Sequence, residues 1–224
     1  MVLPPSVPDW MRPRGLPPHR MPSAQALQRL RSGNHRHLRQ LSGESAGGDI
    51  TPADFPYALV VGCMEPGAAG EELFAERPGA IECVRTAGPS LGADAMAAIE
   101  FAALVQNVGV VLVLAHPGCA ALASARAARR ATGLNLSPSL AEWVQTASAG
   151  TAGEDPALGH VRALRARLRA ADALLTLTRS GQVKIAGGVL DPVTREIAFL
   201  PDEPDDFVEE CDPPQRPDST RYGS

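Results

Sequence analysis

The chain has little that would suit it to nucleic acids or membranes. Aromatic residues make up 4% of its 224 residues and the formal net charge is −4, so it offers neither stacking platforms nor a basic surface. The longest apolar run, residues 108–115, is far shorter than the roughly 20 residues that span a bilayer. The first residues lack the apolar stretch of a secretory signal. We therefore expect a cytoplasmic protein with no nucleic-acid or membrane partner.

Lysine and cysteine are also scarce. Lys184 is the only lysine, so almost all of the positive charge is arginine, and the chain has four cysteines. In a reducing cytoplasm, cysteines are more often core thiols or metal ligands than disulfides. Cys83 lies inside a predicted strand and is expected to be a core thiol, and Cys211 is at most an exposed thiol.

Proline marks the predicted domain boundaries, because it is concentrated at both ends of the chain. Residues 1–22 are predicted to form a proline-rich N-terminal arm, and residues 201–224 an acidic, proline-rich tail. The periodic apolar pattern lies between them, over residues 23–200. This central segment is long enough for one domain with a sizeable core.

Strands and helices alternate along the central segment. Short apolar runs bounded by turn residues predict strands at 58–62, 81–84, 108–115, 183–190 and 196–200. Helical spacing predicts helices at 23–41, 92–106, 120–130, 137–147 and 157–175. This alternation is typical of an α/β domain with a mainly parallel sheet flanked by helices, here with an N-terminal helical arm.

Some polar residues of these helices are expected to have structural roles only. Ser23 is expected to cap the first helix, on whose solvated face His35 and His37 should lie. The long helix 157–175 should expose its polar residues to solvent: His160, Arg162, Arg165, Arg167 and Arg169.

Three side chains with metal-ligand chemistry follow two of the predicted strands. Cys63 comes directly after the first strand, His116 directly after the central strand, and Cys119 in the turn that enters the next helix. In open α/β sheets, ligands bind beyond the carboxyl ends of the strands. Two cysteines and one histidine are a known zinc set with a fourth position left open, and the helix opening would lower the pKa of Cys119. Spacing alone leaves a zinc site and ordinary core thiols equally open.

Several short segments resemble, in order and spacing, the motifs of the β-carbonic anhydrases. That family shows C-x-D-S-R, V-R-N-A-G, S-I-E-Y-A and G-H-S-x-C-G-A, to which residues 63–67, 84–88, 98–102 and 115–121 are similar. Residues 26–34 and 187–191 are similar to the opening helix and a late strand of the family, so the resemblance covers about residues 23–200.

The resemblance implies a fold, a cofactor and an activity. Zn²⁺ would be held by Cys63, His116 and Cys119, and zinc-bound hydroxide would hydrate carbon dioxide to bicarbonate. Family members form dimers in which the first helix reaches the neighbouring subunit. We therefore expect a homodimer or higher even oligomer, with residues 23–41 at the interface.

The chain departs from the family beside the metal. The aspartate position of C-x-D-S-R is Glu65, and the arginine position is Gly67. Glu65 is expected to ligate zinc as a fourth ligand, to pair with another cation, or to point to solvent. Arg85 is the nearest candidate cation, which makes Glu65 and Arg85 the candidate catalytic residues.

Loss of the arginine removes both charge and bulk beside the metal, and three functions follow as hypotheses. The first is a carbonic anhydrase in which other residues replace the aspartate–arginine pair of the family, with its hydration rate lowered by about 10²–10⁴-fold. The second is a zinc hydrolase or lyase for another small electrophile that fits beside Gly67. The third is a noncatalytic zinc-binding homologue.

Overall fold

A five-stranded sheet lies at the centre of the protein. The computed structural model describes residues 19–44, 49–68, 70–147 and 155–202. In sheet order the strands are β2, β1, β3, β4 and β5; the first four are parallel, and β5 is antiparallel to β4. The mainly parallel sheet is as predicted. The strands have these bounds: β1 Ala58–Cys63, β2 Ile81–Thr86, β3 Val110–Ala115, β4 Lys184–Leu190 and β5 Ile197–Phe199.

Helices cover both faces of this sheet. A short 3-10 helix, Glu71–Phe74, lies between β1 and β2. Within the described residues, no helix is both long and apolar enough to cross a membrane. The α-helices have these bounds: α1 Ser23–Leu41, α2 Ala93–Leu104, α3 Ala120–Arg130, α4 Pro138–Ala147, α5 Pro156–Arg169 and α6 Asp172–Arg179.

The two central strands are buried on both faces, which explains their continuous apolar sequences. Every residue of β1 and β3 is buried. Successive side chains of a strand point to opposite faces. Val61 accordingly belongs to the core that includes Leu164 of α5, whereas Val60 belongs to the core that includes Leu30 of α1. The buried pair β1 and β3 therefore holds in place the residues that follow each strand.

The predicted helix 157–175 is wrong as one element, because it is two helices. Ala171 has extended backbone angles, φ −72° and ψ 119°, and separates α5 from α6. Neither glycine nor proline marks this break in the sequence. The change of direction buries Leu174 and Leu177 of α6 in the core that α5 also covers.

The first helix differs from its prediction in two details. Ser23 does not cap the helix, because its hydroxyl donates a hydrogen bond of 2.8 Å to the carbonyl oxygen of Gly181. His35 is exposed as expected, but His37 is buried, with 8% of its surface exposed. The helix places His37 beside the 3-10 helix rather than in solvent.

Two polar residues of α5 are buried, against the prediction that they face solvent. His160 is fully buried, and its Nε2 lies 2.6 Å from the carbonyl oxygen of Pro89. Arg165 is also buried, and its Nε donates to the carbonyl oxygen of Ile185 in β4 at 3.4 Å. A Cβ on Gly187 would lie 2.6 Å from Cδ of Arg165, so this glycine leaves room for the arginine stem.

Most of the two predicted terminal segments lies outside the described residues. This applies to residues 1–18 of the predicted arm, to residues 203–224 of the predicted tail, and to Cys211 within that tail. The three-segment division of the chain stays a prediction.

Candidate metal centre

The sheet brings the predicted metal ligands to one edge. β1 and β3 are adjacent and parallel, so their carboxyl ends meet. Cys63 is the last residue of β1, His116 directly follows β3, and Cys119 directly precedes α3. Gly118 makes the turn between the last two with a left-handed backbone, φ +69°, which glycine adopts without steric cost.

Four side chains form a compact group at this edge. The Sγ atoms of Cys63 and Cys119 lie 3.7 Å apart. One ligand atom from each of Cys63, Glu65, His116 and Cys119 lies within 4.8 Å of the others. The two cysteines and the histidine are buried, so the group is shielded from solvent on most sides. This spacing suits a single ion within reach of all four side chains.

The imidazole ring of His116 turns an unprotonated nitrogen, Nε2, toward the group. Nδ1 of His116 lies 3.1 Å from the carbonyl oxygen of Pro117, which only accepts, so Nδ1 carries the proton. Nε2 therefore has a lone pair, and it is buried with no hydrogen-bond partner among the described residues. It lies 3.6 Å from Oε2 of Glu65. A buried nitrogen without a partner is costly, and a metal ion at this point would satisfy it.

The thiol of Cys119 is protonated in the metal-free protein. Burial is the main cause that raises its pKa to about 12, and Cys63 and Glu65 raise it further. The backbone N–H of Leu122 acts in the opposite direction but does not outweigh them, so the expected lowering by the helix opening is wrong as a net effect. A bound dication reverses this balance, because metals deprotonate coordinating thiols outright.

Glu65 is turned toward the other three side chains. Its Oε1 accepts a hydrogen bond of 2.9 Å from the backbone N–H of Ala120, in the first turn of α3. Burial raises the pKa of Glu65, but hydrogen bonds from Cys119 and Ala120, together with His116, hold that pKa below its ordinary value. The carboxylate is thus ionised and available as a ligand at neutral pH.

Arg85 contacts the backbone of the loop rather than the carboxylate of Glu65. Its Nε donates to the carbonyl oxygen of Cys63 at 3.2 Å. Its Nη2 donates to the carbonyl oxygens of Met64 and Glu65 at 3.0 and 2.9 Å. The guanidinium therefore fixes the path of the chain from the first cysteine to the glutamate.

A second arginine, which the sequence analysis missed, occupies the space beside Gly67. Nη1 of Arg195 donates a hydrogen bond to the carbonyl oxygen of Gly67. A Cβ on Gly67 would collide with that nitrogen and lie 3.1 Å from Cζ of the same guanidinium. Arg195 thus supplies part of the charge and bulk that the sequence analysis expected Gly67 to remove. The two residues are 128 positions apart and share no motif, so no sequence signal joins them.

The donor set matches zinc better than the other common divalent ions. Zinc takes thiolate, imidazole and carboxylate ligands in tetrahedral sites, whereas magnesium and calcium prefer oxygen ligands alone. Two sulfurs, one imidazole nitrogen and one carboxylate are present here. The group fits Zn²⁺ with three protein ligands and a fourth position next to Glu65.

Comparisons with known proteins point to one family. A family model described as "Carbonic anhydrase" matches residues 58–197, more than half of the chain. The chain is 33% identical over 101 residues to "Carbonic anhydrase 2" of Mycobacterium tuberculosis. That alignment covers 45% of this chain and 48% of the relative, so the match spans about half the length of each.

Solved structures with the same fold cover more of the chain. The β-carbonic anhydrase CcaA superposes with a TM-score of 0.55 at 16% identity, over 80% of this chain and 90% of that one. Tetrameric β-carbonic anhydrases from Sordaria macrospora give a TM-score of 0.51 at 14% identity, over 80% of this chain and 93% of theirs. At such identities the likeness concerns the fold alone.

Proposed function

Since the chain belongs to the β-carbonic anhydrase family, we propose that it hydrates carbon dioxide to bicarbonate with zinc held by Cys63, His116 and Cys119. One observation carries this proposal. Nε2 of His116 is buried without a hydrogen-bond partner among the described residues, and it faces two thiols and a carboxylate within 4.8 Å. A purely structural core would leave this nitrogen unsatisfied.

The side chains have distinct parts in the proposed reaction. Zinc held by Cys63, His116 and Cys119 would supply a nucleophile at neutral pH, because it would lower the pKa of a bound water molecule. Pro117 fixes the His116 tautomer that keeps Nε2 available. Arg85 is a positioning residue, because its three hydrogen bonds hold the backbone from Cys63 to Glu65.

We propose that Glu65 competes with substrate water for the fourth position. One carboxylate oxygen is held by the backbone N–H of Ala120, and the other points toward Nε2 of His116 at 3.6 Å. The carboxylate thus lies among the metal-ligating atoms in the described conformation. Hydration requires it to turn away, so this carboxylate lowers the rate relative to a site whose fourth position stays open.

The placement of Glu65 favours one other candidate function. A carboxylate that remained a fourth ligand would give a closed, structural zinc site, as in a noncatalytic homologue. The hypothesis of another small electrophile stays a prediction. The guanidinium of Arg195 takes part of the space beside Gly67, and a cavity of about 170 Å³ remains there.

Stopped-flow hydration of carbon dioxide separates these two functions. The protein is loaded with zinc, its metal content is verified, and initial rates are measured from about pH 7 to 9. We expect activity that rises with pH and disappears in Cys63→Ser, while Cys83→Ser, a thiol outside the group, keeps it. A zinc-loaded protein with no activity over the uncatalysed rate throughout this range would contradict the proposed function and support the closed structural site.

We further propose a homodimer or higher even oligomer in which α1 contacts the neighbouring subunit. The first half of α1 packs on its own sheet through Ala26, Leu27 and Leu30. At its end, Leu41 is 59% exposed, so the apolar side chain is available to another subunit. Light scattering of the full chain tests this proposal, and a Leu41→Asp variant should shift the mass toward the monomer. A monomeric wild-type protein would contradict it.

A cytoplasmic location is proposed from the chemistry of the ligands. Cys63, Cys83 and Cys119 are free thiols among the described residues, and the two in the metal group lie close enough to be oxidised together. A reducing compartment keeps such thiols available to zinc. Fractionation of cells that express a tagged chain tests this location.

A further inference from the structure

Beside the metal group lies a small cavity with one arginine in its wall. Its volume is about 170 Å³. Glu65 and His116 line it on the side of the metal group, and Arg195 lines it on the side of the turn between β4 and β5. Most of the remaining wall is backbone and small apolar residues: Pro66, Gly67, Ala68, Pro117, Gly118 and Pro192.

Arg195 stands at a position that its backbone conformation disfavours for arginine. Its φ is +67°, in the left-handed region that favours glycine or asparagine. An L-residue other than glycine is strained in this conformation. Non-glycine residues in such conformations concentrate at functional sites, where the side chain offsets the cost. The identity of this side chain therefore calls for a reason.

Two independent contacts hold the backbone of Arg195 in place. The fully buried amide of Asn34 in α1 donates from Nδ2 to its carbonyl oxygen at 3.0 Å. The carboxylate of Asp191 accepts hydrogen bonds from the N–H groups of Val193 and Thr194 at 2.7 and 3.0 Å and closes the turn before it. The guanidinium is then fixed at its other end on the carbonyl oxygen of Gly67.

We propose that Arg195 binds the anionic member of the reaction pair, bicarbonate, in this cavity. The inference rests on the proposed function and adds the residue that recognises its charged ligand. Bicarbonate is small, planar and singly charged, and a guanidinium offers parallel donors that match two oxygens of such an anion. The volume of 170 Å³ accommodates an ion of this size next to His116.

Charge balance at the cavity supports the same assignment. The carboxylate of Glu65 lines the same cavity as Arg195. Without a compensating cation, that carboxylate would repel a second anion. The guanidinium of Arg195 lines the cavity as well and offers an anion a positive charge.

The test compares variants of residue 195. Sodium bicarbonate is titrated into zinc-loaded protein at about pH 8.5, and calorimetry measures the dissociation constant. Arg195→Gly removes the guanidinium and suits the left-handed backbone, so it should fold at least as well as the wild type. Arg195→Lys keeps the charge but loses the paired donors. Arg130→Gln, an exposed arginine at the far end of α3, is the control for an equal change in net charge.

We expect the bicarbonate dissociation constant of Arg195→Gly to rise about tenfold to a hundredfold, as for loss of a charge-assisted hydrogen bond. Arg195→Lys should fall in between, and Arg130→Gln should match the wild type. Imidazole, a neutral ligand, should bind Arg195→Gly and the wild type within about twofold of each other. Melting temperatures of all four proteins show whether a loss of binding comes from unfolding.

Two outcomes would overturn the inference: equal bicarbonate affinity in Arg195→Gly and the wild type, or no bicarbonate binding by the wild type. A different result would contradict the proposed function. A zinc-loaded protein that binds bicarbonate through Arg195 but does not hydrate carbon dioxide would contradict the proposed function and keep the binding site.

Discussion

The Sγ atoms of Cys63 and Cys119 lie 3.7 Å apart, although 56 positions separate the two cysteines in the chain. The first ends β1 and the second precedes α3, so the distance reflects the pairing of β1 with β3. Both thiols are buried, and burial raises the pKa of Cys119 to about 12 in the metal-free protein. A zinc ion would convert this costly arrangement into a stabilising one.

Removal of zinc should therefore destabilise the protein. At a zinc concentration about a thousand times the dissociation constant, binding contributes about 4 kcal/mol to the free energy of unfolding. For a chain of this size that corresponds to a fall in Tm of roughly 10 °C when a chelator is added. Differential scanning calorimetry with and without chelator measures it. Cys63→Ser should show no such fall in Tm, and Cys83→Ser should show the same fall as the wild type. A wild-type Tm that the chelator does not change would contradict the zinc site.

The carboxylate of Glu65 should contribute to zinc affinity. In Glu65→Gln the amide oxygen is a weaker ligand, and we expect the zinc dissociation constant to rise by about tenfold or more. Competition with a chromophoric chelator measures this constant. Glu82→Gln is the matched control and should leave zinc affinity unchanged. It alters a carboxylate of β2 that accepts a hydrogen bond of 3.0 Å from Gln106. Equal affinities in Glu65→Gln and the wild type would show that Glu65 does not ligate zinc.

The amide of Asn34 should be important for stability, because it joins three parts of the chain. Nδ2 donates to the carbonyl oxygens of Leu73 and Arg195, and Oδ1 accepts from the N–H of Ile197, each at 3.0 Å. Asn34→Ala leaves these buried groups unpaired and should lower the free energy of unfolding by about 2–4 kcal/mol. Urea denaturation measures it, with exposed Gln28→Ala on the same helix as control. A loss below about 0.5 kcal/mol would mean that water or neighbouring groups replace the amide.

The thiol of Cys83 should make stability depend on alkaline pH. Burial, helped by Glu71 and Glu72, raises its pKa from 9.0 to about 12. The unfolded thiol releases its proton near pH 9, whereas the folded thiol keeps it, so the contribution of Cys83 is complete below that pH and is lost as pH rises toward 12. Relative to Cys83→Ala, the wild type should lose up to about 1 kcal/mol per pH unit above pH 9. A difference between the two proteins that stays constant from about pH 8 to 10.5 would contradict the raised pKa.

The strands and the proximity of the candidate metal ligands were predictable because their signals are local. Short apolar runs bounded by turn residues predict the strands β1 and β3. Residues that directly follow neighbouring parallel strands meet at one edge of the sheet. The sequence therefore predicts that Cys63, His116 and Cys119 lie together, and the structure confirms that they are close.

The position of Arg195 beside Gly67 could not be predicted, because it depends on contacts between distant parts of the chain. Arg195 reaches Gly67 only because Asn34 and Asp191 fix the turn that carries it. The buried positions of His160 and Arg165 were missed for a related reason. Polar residues at helical spacing suggest a solvated face, whereas Pro89 and the space over Gly187 supply their partners and room.

X-ray absorption spectroscopy at the zinc K-edge tests the metal centre most directly. On the zinc-loaded wild type at neutral pH, we predict a first shell of two sulfur atoms at about 2.3 Å and two nitrogen or oxygen atoms at about 2.0–2.1 Å. Cys63→Ser should lose one of the two sulfurs, and Cys83→Ser should keep both. A wild-type shell that contains no sulfur, or a spectrum that Cys63→Ser leaves unchanged, would contradict zinc binding by Cys63, His116 and Cys119.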